Sequence, residues 1–385
     1  MDSCFRGVGK LKRFLAVVLI VLVSITLFIV LRSVSYSPIR DNPHDFFVGV
    51  TFSSNTTVEA KVLIDKVKDY TNLLVVASGP VSKNETSLDE ICNYAVNQSL
   101  HLIVYFGNIS LPWQIPWISS AQQRWGSYFV GVYHYDEPAG SLLDTPNAFG
   151  NSSKPANYDE MANLFVNSWQ TMPGLHTIKA MPNPPTTFTS DYGLYWFDYL
   201  AGYDVILSEF GWNNSRAQQI ALVRGAANLQ NKSWGVIVTW TYDKAPYLES
   251  GDQLYSDLTL AYQNGAKYVV VFNYPSLTGN SYGDLTSDHF DALQKFWNQI
   301  KTNPHQTDFS AQNVLVLPRN YGWGMRSPND TIWGLWGPDE KSPQIWNITQ
   351  TLLANYGSNL DIVYDDPSFS PDSRYAKIYF WNSTI

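Results

Sequence analysis

The sequence predicts an α/β protein. A (β/α)8 TIM barrel spans residues 46–302, with a small α/β unit after it and a transmembrane helix before it. Three observations carry this reading. Eight short apolar runs alternate with stretches of helical periodicity, which is the pattern of parallel strands joined by crossover helices. Eight such strands close into a barrel, and the span has the usual length of about 250 residues. A doubly wound open sheet is the rival. It would carry a glycine-rich phosphate turn after the first strand, and Thr51-Phe-Ser-Ser-Asn55 is not one.

The chain begins with a basic tail, residues 1–13, containing Arg6, Lys10, Lys12 and Arg13. Residues 14–31 follow as an uncharged apolar run. As a helix it covers about 27 Å, enough for a bilayer core. The basic flank predicts a cytoplasmic N-terminus and an exported remainder, so the protein is expected at the cell membrane as a single-pass, outward-facing protein. A cleaved signal peptide is the alternative, but its apolar region usually runs only about 7–15 residues. Residues 32–45 read as a short stalk. Sequons headed by Asn55, Asn84, Asn97, Asn108, Asn151, Asn213, Asn231, Asn329, Asn347 and Asn382 agree with an extracellular glycoprotein, although a chain rich in Asn, Ser and Thr also makes sequons by chance.

The strands are expected, in order, at Phe46–Phe52, Asn72–Ser78, Leu102–Phe106, Phe129–Tyr135, Thr177–Met181, Asp204–Ser208, Trp234–Thr239 and Lys267–Phe272. Helices separate them. The one opening at Ser87 carries Glu90 three residues on, a capping-box spacing. The last barrel helix is Ser287–Lys301. Residues 303–385 then read strand, helix, strand, strand, a small α/β unit whose amphipathic helix is expected to pack on the barrel. The segment Arg319-Asn-Tyr-Gly-Trp-Gly-Met-Arg326 is either a loop over the barrel rim or a structured turn.

Composition narrows the function. The 385 residues carry a net charge of −8, which argues against nucleic acid as a partner. Fourteen Trp and 24 Tyr suit either an aromatic core or a surface that stacks on sugar rings. Cys4 and Cys92 fall on opposite sides of the apolar run, so no disulfide framework forms, and no CxxC or HExxH appears. No metal and no cofactor is expected. There is no Gly-x-Ser-x-Gly elbow for acyl transfer.

Active sites of such barrels lie where the strands end. Position alone selects Asp136 and Glu137 after strand four and Asn183 after strand five. It also selects Glu209 after strand six, Trp240, Tyr242 and Asp243 after strand seven, and Asn273 and Tyr274 after strand eight. Strand alternation places Glu137 on the face shared by Gly131, Tyr133 and Tyr135, pointing into the mouth, with Asp136 pointing away unless the backbone turns. Two carboxyl groups across a sugar are what glycoside hydrolysis needs: one protonates the leaving oxygen, the other attacks or activates water. Glu137 and Glu209 form the natural pair. Tyr135, Trp212, Trp240, Tyr242 and Tyr274 would hold the sugar. The plain alternative makes both glutamates solvated strand caps on a non-catalytic glycan-binding or structural surface protein.

Tyr135-Asp136-Glu137-Pro138 resembles the Asn-Glu-Pro ending of strand four in the large retaining clan of TIM-barrel glycoside hydrolases, where the Glu is the acid/base. Ser208-Glu209-Phe-Gly-Trp212 resembles that clan's nucleophile segment, and Trp240 its late-strand aromatic. Asp136 departs from the clan's Asn, and Glu209 follows strand six where the clan's nucleophile follows strand seven. The Asp136-Glu137 pair is also similar to hexosaminidases that use substrate assistance. That resemblance implies Glu137 as general acid, Asp136 orienting the substrate's own acetamido nucleophile, and Glu209 as a binding residue.

Overall fold

The computed structural model describes residues 46–145, 154–274, 280, 282–302 and 309–384. The basic tail, the apolar run 14–31 and the stalk therefore lie outside the described residues. No helix among the described residues is long and apolar enough to cross a membrane.

Eight parallel strands close into a barrel in chain order. They are β1 (Phe47–Phe52), β2 (Leu73–Val76), β3 (His101–Tyr105), β4 (Phe129–Tyr133), β5 (Thr186–Asp191), β6 (Val205–Phe210), β7 (Ser233–Val238) and β8 (Tyr268–Val271). Closure is through β8 and β1, with Phe47 opposite Tyr268 and Val50 opposite Val271. Alternate residues fill the interior, among them Leu73, Val75, Ile103, Tyr133, Phe188, Leu207, Ile237 and Val270. Their neighbours Val50, Leu74, Val104, Val132, Ile206 and Val236 face the surrounding helices. Each such side chain taken from water contributes about 1.5–3 kcal/mol. Gly131 sits where a Cβ would lie 2.2 Å from the Thr186 carbonyl and 2.8 Å from the Phe188 ring. Its missing side chain lets β4 and β5 close beside the Phe188 ring.

Seven strands fall where expected and one does not. The stretch expected as strand five, Thr177–Met181, is no strand: Pro173–Lys179 is a short helix that buries Leu175 and Ile178, three apart on one face. The fifth strand is Thr186–Asp191, a run of β-branched and polar residues after Pro184-Pro185. The prolines thus lead into the strand and do not end it. A second correction concerns Ser87. The helix begins earlier, at Glu85, and its cap is Asn84, whose side chain accepts the Ser87 amide.

A three-stranded parallel sheet follows the barrel, in the order β10 (Leu360–Tyr364), β9 (Asn313–Leu317), β11 (Lys377–Phe380). It packs on the barrel helix Arg216–Leu229, which is buried on nearly every side because it lies between two sheets. Arg224 of that helix donates to Asp361 of β10 at 2.7 Å, to Asn264 at 2.9 Å and to the Leu360 carbonyl at 3.0 Å. Residues 46–385 form one compact unit.

Candidate active site

β4 delivers its acids through a turn and not through simple alternation. After Tyr133 the chain leaves the strand, and Tyr135 and Glu137 both take left-handed backbone conformations, φ 61° and 50°. Such conformations are disfavoured for residues with a Cβ and persist only where the surroundings hold them. The turn brings Asp136 to the mouth together with Glu137, the case the sequence left open if the backbone turned before Pro138. Asp136 accepts hydrogen bonds from the Tyr133 hydroxyl, an interior-facing group, and from Ser190 Oγ at 2.9 Å. The Glu137 amide donates to the Ser190 carbonyl at 3.0 Å.

Glu209, near the end of β6, is only 7% exposed. Ser190 Oγ lies 2.6 Å from its Oε1, and the Glu137 and Glu209 carboxyls share a hydrogen bond. A hydroxyl has one proton to give, and two carboxylates have none to share. Ser190 cannot satisfy Asp136 and Glu209 at once, and the glutamate pair can bond only if one of them is protonated. The electrostatics agree. Burial raises the Glu137 pKa to about 7, helped by the charges of Asp136 and Asp191 and opposed by the hydrogen bond to Glu209. Burial pushes Glu209 well above the carboxylate range, with Glu137 and Asp136 adding to it. Burial also raises Asp136, against the pull of the Tyr133 and Ser190 hydrogen bonds.

Behind this group stands Asp191, the last residue of β5. It is fully buried and accepts the amides of Ala139 at 2.9 Å, Gly140 at 2.9 Å and Tyr192 at 2.7 Å. Asp198 is buried beside it, and burial together with the Asp191 charge holds its pKa far above normal. Asp191 therefore ties the chain just after Glu137 to the end of β5. Ser190 and Asp191 lie outside the sequence expectation, which puts strand five at Thr177–Met181 and so too early. The signal was present in Thr186–Asp191, whose inward positions run Phe188, Ser190.

The other expected residues divide. Tyr135, Trp212, Tyr242 and Tyr274 are exposed, and they follow β4, β6, β7 and β8 on one face of the barrel. Trp240 is half-buried beneath them. It packs edge-on against Tyr274, and its Nε1 donates to Asp284 at 3.2 Å. Asp243 is exposed on the same loop. Asn273 is buried and serves the fold: its amide donates to Thr51 Oγ1 at 2.8 Å, and its Oδ1 accepts the Asp284 amide at 2.8 Å. Asn183 is exposed and precedes β5, which puts it at the barrel's opposite end and removes it from the site. The Arg319–Arg326 segment lies against the short helix Gly140–Asp144 that follows Glu137. Arg326 reaches Asp144 at 2.6 Å and Asp330 at 2.8 Å, and Thr331 donates to the Leu143 carbonyl at 3.2 Å. Among the described residues, no group of three or more His, Cys, Asp or Glu is placed to hold a metal ion.

No family model matches the chain, and no curated protein matches it in sequence. Solved structures share its fold. A GH5_18 protein from Bifidobacterium longum, in complex with Manb1-4GlcNAc, superposes with a TM-score of 0.55 at 9% identity, over 88% of this chain and 96% of that one. GH5_18 from Streptomyces cattleya, in complex with GlcNAc, gives 0.52 at 11% identity, over 87% and 98%. At these identities the likeness establishes the TIM-barrel fold.

Proposed function

We propose that the protein is a glycoside hydrolase acting on a glycan, with Glu137 as the general acid. The hydrogen-bonded Glu137–Glu209 pair at the ends of β4 and β6 supports this most directly. A general acid must hold its proton near working pH and lose it readily. A carboxyl raised to about 7 among negative neighbours does so. In the two-carboxylate mechanism Glu137 protonates the leaving oxygen, Glu209 attacks the anomeric carbon, and Glu137 then takes a proton from water. Glutamates in hydrogen-bond contact are closer than the roughly 5–5.5 Å of a retaining pair. On this reading substrate enters between them, the proton of Glu209 moves to Glu137, and Glu209 is left as the carboxylate that attacks. Tyr135, Trp212, Tyr242 and Tyr274 offer flat faces for sugar rings.

A second reading rests on one further observation. Asp136 is held by Tyr133 and Ser190, whereas Glu209 is buried in surroundings that keep it uncharged. An acid fixed in that way suits orientation of a 2-acetamido group that attacks its own anomeric carbon. The GlcNAc-containing sugars bound by the two solved structures motivate the same class of substrate here, by analogy of fold. The apolar run 14–31 would anchor the enzyme with its barrel outside the membrane.

The test is hydrolysis of β-linked oligosaccharides, with and without GlcNAc, by residues 36–385. Release of reducing ends that Glu137→Gln abolishes is the expected result. A Glu137→Gln protein that retains full activity overturns the assignment. Binding of these glycans without turnover by the unmutated protein would favour the non-catalytic surface protein.

A further inference from the structure

We propose that the protein is N-glycosylated across its folded surface, at eight of its sequons, and that Asn347 is left bare. The proposal is independent of the catalytic reading. The chain has 29 asparagines, of which ten head a sequon. Its Ser and Thr content would place roughly four there by chance.

The fold separates sequon asparagines from the others. All nine that fall among the described residues are exposed, whereas only seven of the sixteen described asparagines outside sequons are. The atom that would be modified separates them more sharply. Seven of those sixteen donate a hydrogen bond through Nδ2, from Asn72 and Asn157 to Asn313 and Asn320. None of the nine does. Two of them are engaged, and both through the oxygen: Asn84 Oδ1 accepts the Ser87 amide at 3.0 Å, and Asn231 Oδ1 accepts from Arg374 at 2.7 Å. Each of these nine sequon nitrogens is thus at the surface and uncommitted. A sequence that met these triplets by accident would use some of the nitrogens in the fold, as it does elsewhere.

The chemistry needs that nitrogen and the hydroxyl two residues on. Nδ2 attacks the anomeric carbon of a glycan carried on a polyprenyl phosphate or diphosphate. The N–C bond forms as the C–O bond to phosphate breaks, the lipid phosphate leaves with the bonding pair, and Nδ2 loses one proton. The transferase recognises the Ser or Thr hydroxyl, which must be within its reach. In eight of the nine sequons that residue is exposed or half-buried. Thr349 is the exception: it is wholly buried inside the helix Ser342–Tyr356, out of a transferase's reach. Asn55, Asn108 and Asn213 follow β1, β3 and β6, so glycans there stand around the mouth of the barrel, one of them next to Trp212.

Glycopeptide mass spectrometry on the full-length protein purified from the cells that naturally make it decides the matter. A majority of the eight sites carrying a sugar mass, with the Asn347 peptide unmodified, is the expected result. An Asn213→Gln chain should lose one increment of intact mass. An intact mass equal to that of the bare polypeptide overturns the proposal, as does occupancy at only a minority of the eight. Occupancy at Asn347 equal to the others also overturns it, because the folded surface would then not be selecting the sites.

Discussion

The Asp191 carboxylate accepts the Gly140 amide at 2.9 Å, and a Cβ on Gly140 would lie 2.2 Å from Asp191 Oδ1. The two residues interlock, and the lock closes three residues after Glu137. Gly140→Ala should therefore displace the Glu137 turn as well as strain the core. Overpacking of this kind costs about 1–3 kcal/mol. The expected outcome is a lowered thermal midpoint with a fall in kcat larger than any change in KM. A Gly140→Ala protein with unaltered kinetics would show that the Glu137 turn does not depend on this contact.

The charged groups that act on Glu137 are acids: Asp136, Asp191, Glu209 and Asp144. With its pKa near 7, the proton needed for leaving-group protonation is present below that pH and is lost above it. The rate should fall about tenfold per pH unit on the alkaline side. Removing a neighbouring negative charge makes ionisation easier, so Asp191→Asn should move this limb to lower pH. The same shift bears on stability. A carboxyl raised on folding favours the folded state below its unfolded pKa of about 4.5, and the benefit is lost as pH rises through about 7. Glu137→Gln should flatten that part of the stability profile, measured as denaturation midpoints from pH 4 to pH 8.

These residues also mark what the sequence made legible. Glu137 and Glu209 were found because apolar strands end on them, and seven strands carried the same signal. Strand five hid itself because its work is polar. Ser190 and Asp191 bond to the acids and to the loop after Glu137, so the strand lacks the apolar alternation that announces a strand. The nearby helix Pro173–Lys179 buries Leu175 and Ile178 and supplied the apolar run instead. The same shift carries Asn183 from the end of strand five to the loop before it. The joint entry of Asp136 and Glu137 depended on two left-handed residues, Tyr135 and Glu137, that no propensity scale expects.

Arg224 and Asp361 are 1% and 0% exposed in their side chains and pair at 2.7 Å between the barrel and the C-terminal sheet. A buried charge left without its partner is strongly destabilising, by about 3–5 kcal/mol. Arg224→Met leaves Asp361 with only Tyr375 and Asn228 as donors. The expected outcome is a large loss in the denaturant midpoint. The double variant Arg224→Met, Asp361→Leu should recover part of it, because no charge is then stranded. If the double variant is as unstable as the sum of the two singles, the pair contributes nothing as a pair.

Asp136 and Glu209 separate the two mechanisms: both contact Ser190 Oγ, but in the first Glu209 attacks the anomeric carbon and in the second Asp136 orients the acetamido group that does. If Glu209 is the nucleophile, Glu209→Ala should lose most of its rate and recover part of it with azide, giving a glycosyl azide. Asp136→Asn would then lose much less, because an amide still accepts the Tyr133 hydrogen bond. If the substrate's acetamido group attacks, the ranking reverses. Asp136→Asn should lose about 10²–10⁴ in kcat, only substrates with a 2-acetamido group should be cleaved, and azide should rescue nothing. Ser190→Ala adds a control, because it frees both acids from their shared donor. Under the first mechanism its main effect falls on Glu209, and the rescued reaction of Glu209→Ala should be insensitive to it. Under the second it should loosen Asp136, and its loss should not add fully to that of Asp136→Asn.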